Sequence, residues 1–245
     1  MCSDLRAHGL DAAINALGGT WQPSQFDAPC INGPISAYRD AIHIYPEIVA
    51  GNPAGGDRVV RWLLGPQRYA HAENDLVVVW DRMIDDRYPR LQVPIIESEV
   101  FCPRLAPRSG VARWVGKGIA GPVPPGTIEI TRSWPSHRAE LAELLASVDY
   151  VISNDPFSSV CLESTMCATP VLIDFHGWSA GVCGTWDRER VGATLTGGKG
   201  LAWSPDELDT ARLQAGTVHH DYVEVATLYM SDDLHHFMED MEAMA

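Results

Sequence analysis

From Val111 onward, short apolar runs alternate with helical segments, and this alternation constrains the fold more than any other feature of the chain. VARWVG (111–116), TIEITR (127–132), YVISN (150–154), PVLIDF (170–175) and LAW (201–203) read as strands. SHRAELAELLASV (136–148), FSSVCLESTMCA (157–168) and SPDELDTARLQAG (204–216) read as helices. Ser136 and Ser204 are the expected N-caps, with Pro205 at the first helical position and Glu207 at the third. Strands that alternate with helices imply a parallel sheet with helices on both faces. The expected fold class is therefore α/β.

The first half carries the same signals more faintly. DLRAHG reads as a helix and DAAINAL as a strand. AIHIYPEIV (41–49) begins as a strand, GGDRVVRWLLG (55–65) reads as a helix, DLVVVWD (75–81) is a strand, and QVPIIESEVF contains another. A boundary is expected near CPRLAPRSG (102–110). The expected organisation is a reduced Rossmann-like lobe over residues 1–107, a second Rossmann-like lobe over 108–216 and a helical segment over 217–245. That last segment is acidic and Met-rich, and is expected either to pack back on the first lobe or to bind a partner. Ligands of such sheets bind beyond the carboxyl ends of the strands, so two lobes facing one another across a cleft are expected to present Asp155 and Lys117 to it.

Composition narrows the partners. The chain has 245 residues and a formal charge of −14, which argues against non-specific nucleic-acid binding. No run approaches the roughly 18 apolar residues of a membrane span, and the N-terminus lacks the pattern of a signal peptide. The six cysteines form no C-x-x-C pair, so they read as reduced core residues of a cytoplasmic protein, and no Cys/His cluster has the spacing of a zinc site. Asp85–Asp86 and Asp232–Asp233 read as surface charges, and no metal is expected. Against the acidic background, Arg108, Arg113, Lys117, Arg132 and Arg138 face one acid, Glu129, over 31 residues. That local excess suggests an anionic ligand. The two lysines, Lys117 and Lys199, both lie in Gly-Lys-Gly triplets, where glycine permits close backbone approach to a ligand.

NDPFSSVCLESTMCATPVLID (154–174) concentrates the chemistry. Asp155 reads as a helix cap with Pro156 at the first position, and that alone is a complete structural account of it. The N–H groups of Phe157, Ser158 and Ser159 and the helix dipole suit an anion such as phosphate. Glu163 lies two turns in. It reads either as a solvated helix surface or as a buried carboxylate that requires a partner, for which the paired hydroxyls of a ribose are suited.

DPFSSVCLESTMCATPV resembles the segment of GT-B glycosyltransferases, family 4 in particular, in which two acids are separated by seven residues before a small-residue helix and a Pro-Val strand. Asp155 stands where that family usually has Glu, Pro156 and Ser158 where it has glycines, and Ala168 where it has Gly. Phe157 keeps the aromatic and Glu163 the second acid. YPEIVAGNP (45–53), VVRWLL (59–64), RWVGKG (113–118) and ITRSWPSHRAELAELL (130–145) resemble pieces of small bacterial and phage enzymes of this type. The resemblance spans residues 41–175.

It implies two Rossmann-like GT-B lobes and the transfer of a sugar from a nucleotide-diphosphate donor, a UDP-sugar first, to a saccharide or protein acceptor. Retention and independence of metal or other cofactors are implied as well. Glu163 would hold the ribose. Lys117, in a catalytic role, would neutralise the diphosphate, aided by Arg132 or Arg138 and by Gly116, Ser158 and Ser159 beside Phe157, and Asp155, also catalytic, would contact the donor sugar. Glu47 and Asn52 are the first-lobe residues expected at the cleft, Glu47 in a catalytic role, although YPEIVAGNP reads equally as a structured turn. Trp62, Trp80, Trp114 and Trp134 include candidates for a sugar-stacking platform, each of which also reads as core. A non-catalytic nucleotide-sugar or glycan binder and a nucleotide-sugar epimerase are the alternatives, and a homodimer is one option for the assembly.

Overall fold

The computed structural model describes residues 2–14, 29, 35–65, 67–82, 84–93, 96–116, 118–174, 198–228 and 230–244. The chain is α/β and divides into two compact units, Met1–Pro94 with Tyr229–Ala245, and Ile95–Leu228. Each has its own parallel sheet.

The first unit is built on β1 (Ile42–Pro46), β2 (Arg58–Leu63) and β3 (Leu76–Val79), paired in that order and all parallel. β2 corrects the expectation of a helix at 55–65. Its apolar run shows neither helical nor strand period, because Val59, Val60, Arg61 and Leu63 are all buried at the centre of the sheet. Two adjacent β-branched valines then favour the strand. The buried Arg61 pairs with Asp75 at 2.8 Å and donates to the carbonyls of Val49 and Gly51. The described residues of QVPIIESEVF form no strand: a bridge between Val79 and Arg90 precedes the stretch, and its end is a turn at Glu97–Phe101. Of DAAINAL, Ile14 donates to the Pro29 carbonyl, and residues 15–17 lie outside the described residues. The helix expected in DLRAHG is α1 (Cys2–Ala7).

The core of this unit joins Leu5 of α1 and Val60, Val78, Leu91 and Val93 to Leu234, Phe237 and Met241. The last three lie on one face of the C-terminal helix, Met230–Ala243, which thus belongs to the first unit. Asp233 corrects the reading of a surface charge. Its carboxylate accepts from Arg90 at 2.8 Å and from the Gln92 N–H at 3.1 Å, which ties the helix start to the segment beyond β3.

The second unit carries β4 (Val111–Trp114), β5 (Ile128–Ile130), β6 (Tyr150–Ser153), β7 (Val171–Ile173) and β8 (Leu201–Ala202), in the order β5-β4-β6-β7-β8 and all parallel. Helices α2 (Arg138–Ser147), α3 (Ser159–Met166) and α4 (Leu208–Leu228) cover it, with α3 touching both of the others. The C-terminal helix Met230–Ala243 is α5. Ala112, Val151 and Val171 are fully buried, because central parallel strands are covered on both faces, and Ala202 of the edge strand β8 is fully buried as well.

The division falls at residue 94 rather than 107, because residues 96–104 bind helices of the second unit. Ile96 N–H donates to the Tyr222 hydroxyl, His219 reaches the Ser98 carbonyl, and Arg138 covers the Phe101 ring at 4.7 Å. Residues 217–228, expected to open a separate tail, continue α4. The caps also differ. His137 precedes α2, while the Ser136 hydroxyl bonds Glu140 instead. Ser204 leads a 3-10 turn without a side-chain cap bond, and Glu207 accepts from the Trp203 N–H. No helix among the described residues is long and apolar enough to cross a membrane.

Candidate functional site

The carboxyl ends of β4, β6 and β7 meet around Asp155. Beyond β4 the chain turns at Gly116, whose φ of 57° favours glycine. A Cβ placed there would lie 2.6 Å from the Asp155 side chain and 2.6 Å from Trp114 Nε1. At Gly118 it would stand 1.9 Å from the Asn154 carbonyl oxygen. The glycines of VGKG therefore let one loop cross directly over the Asn154–Asp155 turn. Lys117, between them, lies outside the described residues.

Helix α3 starts later than expected. Ser158, not Asp155, is its N-cap, and its hydroxyl accepts from the Val160 N–H at 3.3 Å. Asp155 instead caps the preceding turn, with Oδ1 accepting from Phe157 N–H at 3.3 Å. The N–H of Ser158 bonds the Asp155 carbonyl and that of Cys161 bonds the Ser158 carbonyl. The helix start thus satisfies much of itself, which narrows the anion role expected there. Phe157 is half-buried and Ser159 exposed. The Cys161 thiol reaches Ser153 and the Asp155 carbonyl, and burial pushes it up to about 12, so it stays protonated and inert.

Glu163 is 2% exposed, which corrects the solvated-surface reading. Arg138 meets its Oε1 at 3.2 Å and also reaches Glu97 at 3.5 Å. Burial raises the Glu163 carboxyl above its ordinary range, while Arg138 and the Ser159 hydroxyl act in the opposite direction. Two residues expected to touch a ligand separately, Glu163 and Arg138, thus hold each other, and Phe101 backs the guanidinium.

The other basic residues of 108–138 divide sharply. Arg108 binds the Thr169 hydroxyl and the Cys167 carbonyl at the end of α3, and Arg113 binds Glu129 and the Gly121 carbonyl. Both hold the fold together. Arg132 is exposed in the turn after β5, and Arg138 is 44% exposed. Lys199, the other Gly-Lys-Gly lysine, pairs with Asp221 at 2.7 Å.

Glu47 and Asn52 belong to the first unit. Glu47 accepts from the Leu64 N–H at 3.1 Å, joining the ends of β1 and β2. Asn52 has both side-chain amide atoms engaged, with Gly56 O on one side and Tyr45 Oη and Gly55 N on the other. It organises its own loop, as the turn reading of YPEIVAGNP expects.

Asn154 and Asp174 are site residues that the sequence reading passed over. Asn154 Nδ2 donates to the carbonyl and carboxylate of Asp174 at 2.9 and 3.0 Å. Both directly follow strands in the structure, because β6 and β7 end short of the YVISN and PVLIDF runs that the sequence suggested as strands. Glu97 and Phe101 carried no local signal. Among the described residues no group of three or more His, Cys, Asp or Glu is placed to hold a metal ion. Compared with protein-family models, curated proteins and solved structures, the chain matches none.

Proposed function

We propose that the second unit binds a nucleoside-diphosphate sugar and that the chain is a glycosyltransferase of GT-B type. The observation that carries this reading is the close crossing of Gly116 and Gly118 over the Asp155 turn at the strand carboxyl ends, with the Glu163–Arg138 pair just past the first turn of α3. Parallel sheets bind ligands at such ends. A carboxylate has about four acceptor positions. Arg138 and Ser159 occupy part of that capacity, which leaves acceptor positions for ribose hydroxyls once the half-exposed Arg138 swings toward the diphosphate.

In the reaction, the bond between the anomeric carbon and the diphosphate oxygen breaks, and an acceptor hydroxyl oxygen bonds that carbon. The hydroxyl proton leaves with the nucleoside diphosphate. Arg138, Arg132 and Lys117 supply positive charge to the leaving group, the largest electrostatic demand of such a step. Asp155 orients donor hydroxyls. Retention and a UDP-sugar donor follow from the family resemblance alone.

A second reading, binding without turnover, is favoured by one observation: the N–H groups at the start of α3 are largely engaged by its own cap. Thermal-shift and calorimetric titration with UDP, GDP, ADP, TDP and their sugars, wild type beside Glu163→Ala, tests the site. A ligand that stabilises the wild type and not the variant supports it and names the donor. Release of nucleoside diphosphate on prolonged incubation with that donor separates enzyme from binder. If no nucleotide stabilises the wild type, the reading fails.

A further inference from the structure

Among the described tryptophans, Trp134 is the exposed one, at 46%, while Trp62, Trp80, Trp114 and Trp203 are half-buried. Its position is held. Thr131 N–H donates to the Trp134 carbonyl at 2.8 Å and Trp134 N–H to the Thr131 carbonyl at 3.4 Å. The turn is tightened by Ser133 N–H on the Thr131 hydroxyl, and Ile130, before it, is buried. The ring therefore stands on a closed turn at the carboxyl end of β5, on the same end of the sheet as Asp155. β5 is an edge strand, two strands from β6. At the usual strand spacing that separation is about 10 Å, a span one nucleoside covers. Arg132 lies in the turn itself, and Arg138, four residues past Trp134, carries the contact to Glu163. In a chain of charge −14, an exposed indole flanked by two arginines suits a planar group attached to an anion.

We infer that Trp134 is the stacking platform for the nucleobase of the donor and so a specificity-determining residue of the second unit. This rests on the nucleotide-sugar reading above. The base lies on the indole face, the ribose points toward Glu163, and the diphosphate runs toward Arg138 and the Gly116 loop. Stacking accepts any base and edge contacts discriminate among them, so Trp134 sets affinity for a nucleotide over a bare diphosphate.

Calorimetric titration of wild type, Trp134→Ala, Trp134→Phe and Glu163→Gln with UDP, GDP, ADP, inorganic pyrophosphate and an oligothymidylate tests this. An exposed ring can be truncated without loss of fold, and thermal unfolding confirms that each variant is intact. Trp134→Ala is expected to weaken the best nucleoside diphosphate by about five- to a hundredfold. Trp134→Phe should stay near wild type, and pyrophosphate affinity should not change. Equal nucleotide affinity in wild type and Trp134→Ala, with loss in Glu163→Gln, leaves the nucleotide site standing and overturns the platform. A parallel loss of pyrophosphate binding also overturns it, because the effect would then not be on the base. No nucleoside diphosphate binding by the wild type overturns both readings, and tighter binding of the oligothymidylate replaces the free nucleotide by single-stranded nucleic acid.

Discussion

Arg138 donates to the buried Glu163 carboxylate at 3.2 Å while remaining 44% exposed itself. A carboxylate so enclosed depends on this one guanidinium and the Ser159 hydroxyl for its charge. The guanidinium, half in water, is free to trade partners.

Removing Arg138 should therefore cost more than an ordinary surface arginine does. Arg138→Ala is expected to destabilise the protein by about 1–3 kcal/mol, the cost of stranding a buried charged acceptor. Adding Glu163→Gln should recover much of that loss. Urea unfolding of the two single variants and the double variant measures the coupling, and strict additivity would remove the pair from the energetics of the fold.

The pH dependence follows from the raised Glu163 carboxyl. Burial, the first cause, makes the folded state bind this proton more tightly than the unfolded chain, whose ordinary value is 4.5. The stability contributed by that proton is complete below the unfolded value and is lost as pH rises through the folded one. Wild type should thus lose stability relative to Glu163→Gln on going upward from about pH 4.5. Melting temperatures of both proteins across pH 4 to 8 read the difference; parallel curves would contradict it.

Gly116 and Gly118 should resist even alanine. At Gly116 the left-handed backbone alone costs about 1–2 kcal/mol, and the new methyl meets Asp155 and Trp114. At Gly118 it meets backbone, the Asn154 carbonyl, which cannot step aside as a side chain can. Gly118→Ala is expected to be the more harmful, by thermal melting, and both variants should lose nucleotide affinity.

Lys117→Ala should weaken binding of a nucleoside diphosphate by about 1–3 kcal/mol through loss of a charge-assisted contact. Calorimetry on a variant with unchanged melting temperature checks it. Undiminished affinity would take Lys117 out of the diphosphate site.

In the first unit, Phe237 is 2% exposed and packs with Val60, Val78 and Leu91. Phe237→Ala should cost about 3–5 kcal/mol. Limited proteolysis should then cut residues 1–93 before the segment 96–228 if the units unfold separately.

Legibility followed the range of the interactions. The strands at 111–114, 150–153 and 171–173 were plain because each is a short, largely apolar run between turn or helix signals, with Ala112, Val151 to Ser153, Val171 and Ile173 buried. The same continuity misled at 58–63, where a six-residue run can be either helix or strand, and only pairing with both neighbours settles it. At the start of α3 the local pattern pointed to Asp155 as the cap, with Pro156 behind it. The crossing loop holds Asp155 against Gly116, and the cap falls to Ser158.

The α/β class and the parallel sheets were readable from local pattern alone, because periodicity is local and burial leaves its mark residue by residue. The sequence also placed an acid, two serines and a second acid along one strand–turn–helix. Which charges meet is a matter of packing in three dimensions. Arg90 and Asp233 are 143 positions apart, and Arg138 and Glu163 are 25 apart. Arg108 and Arg113 bind the fold, while Arg132 stays exposed. Charge acts through space, and a side chain's partner is set by packing that no window of sequence contains.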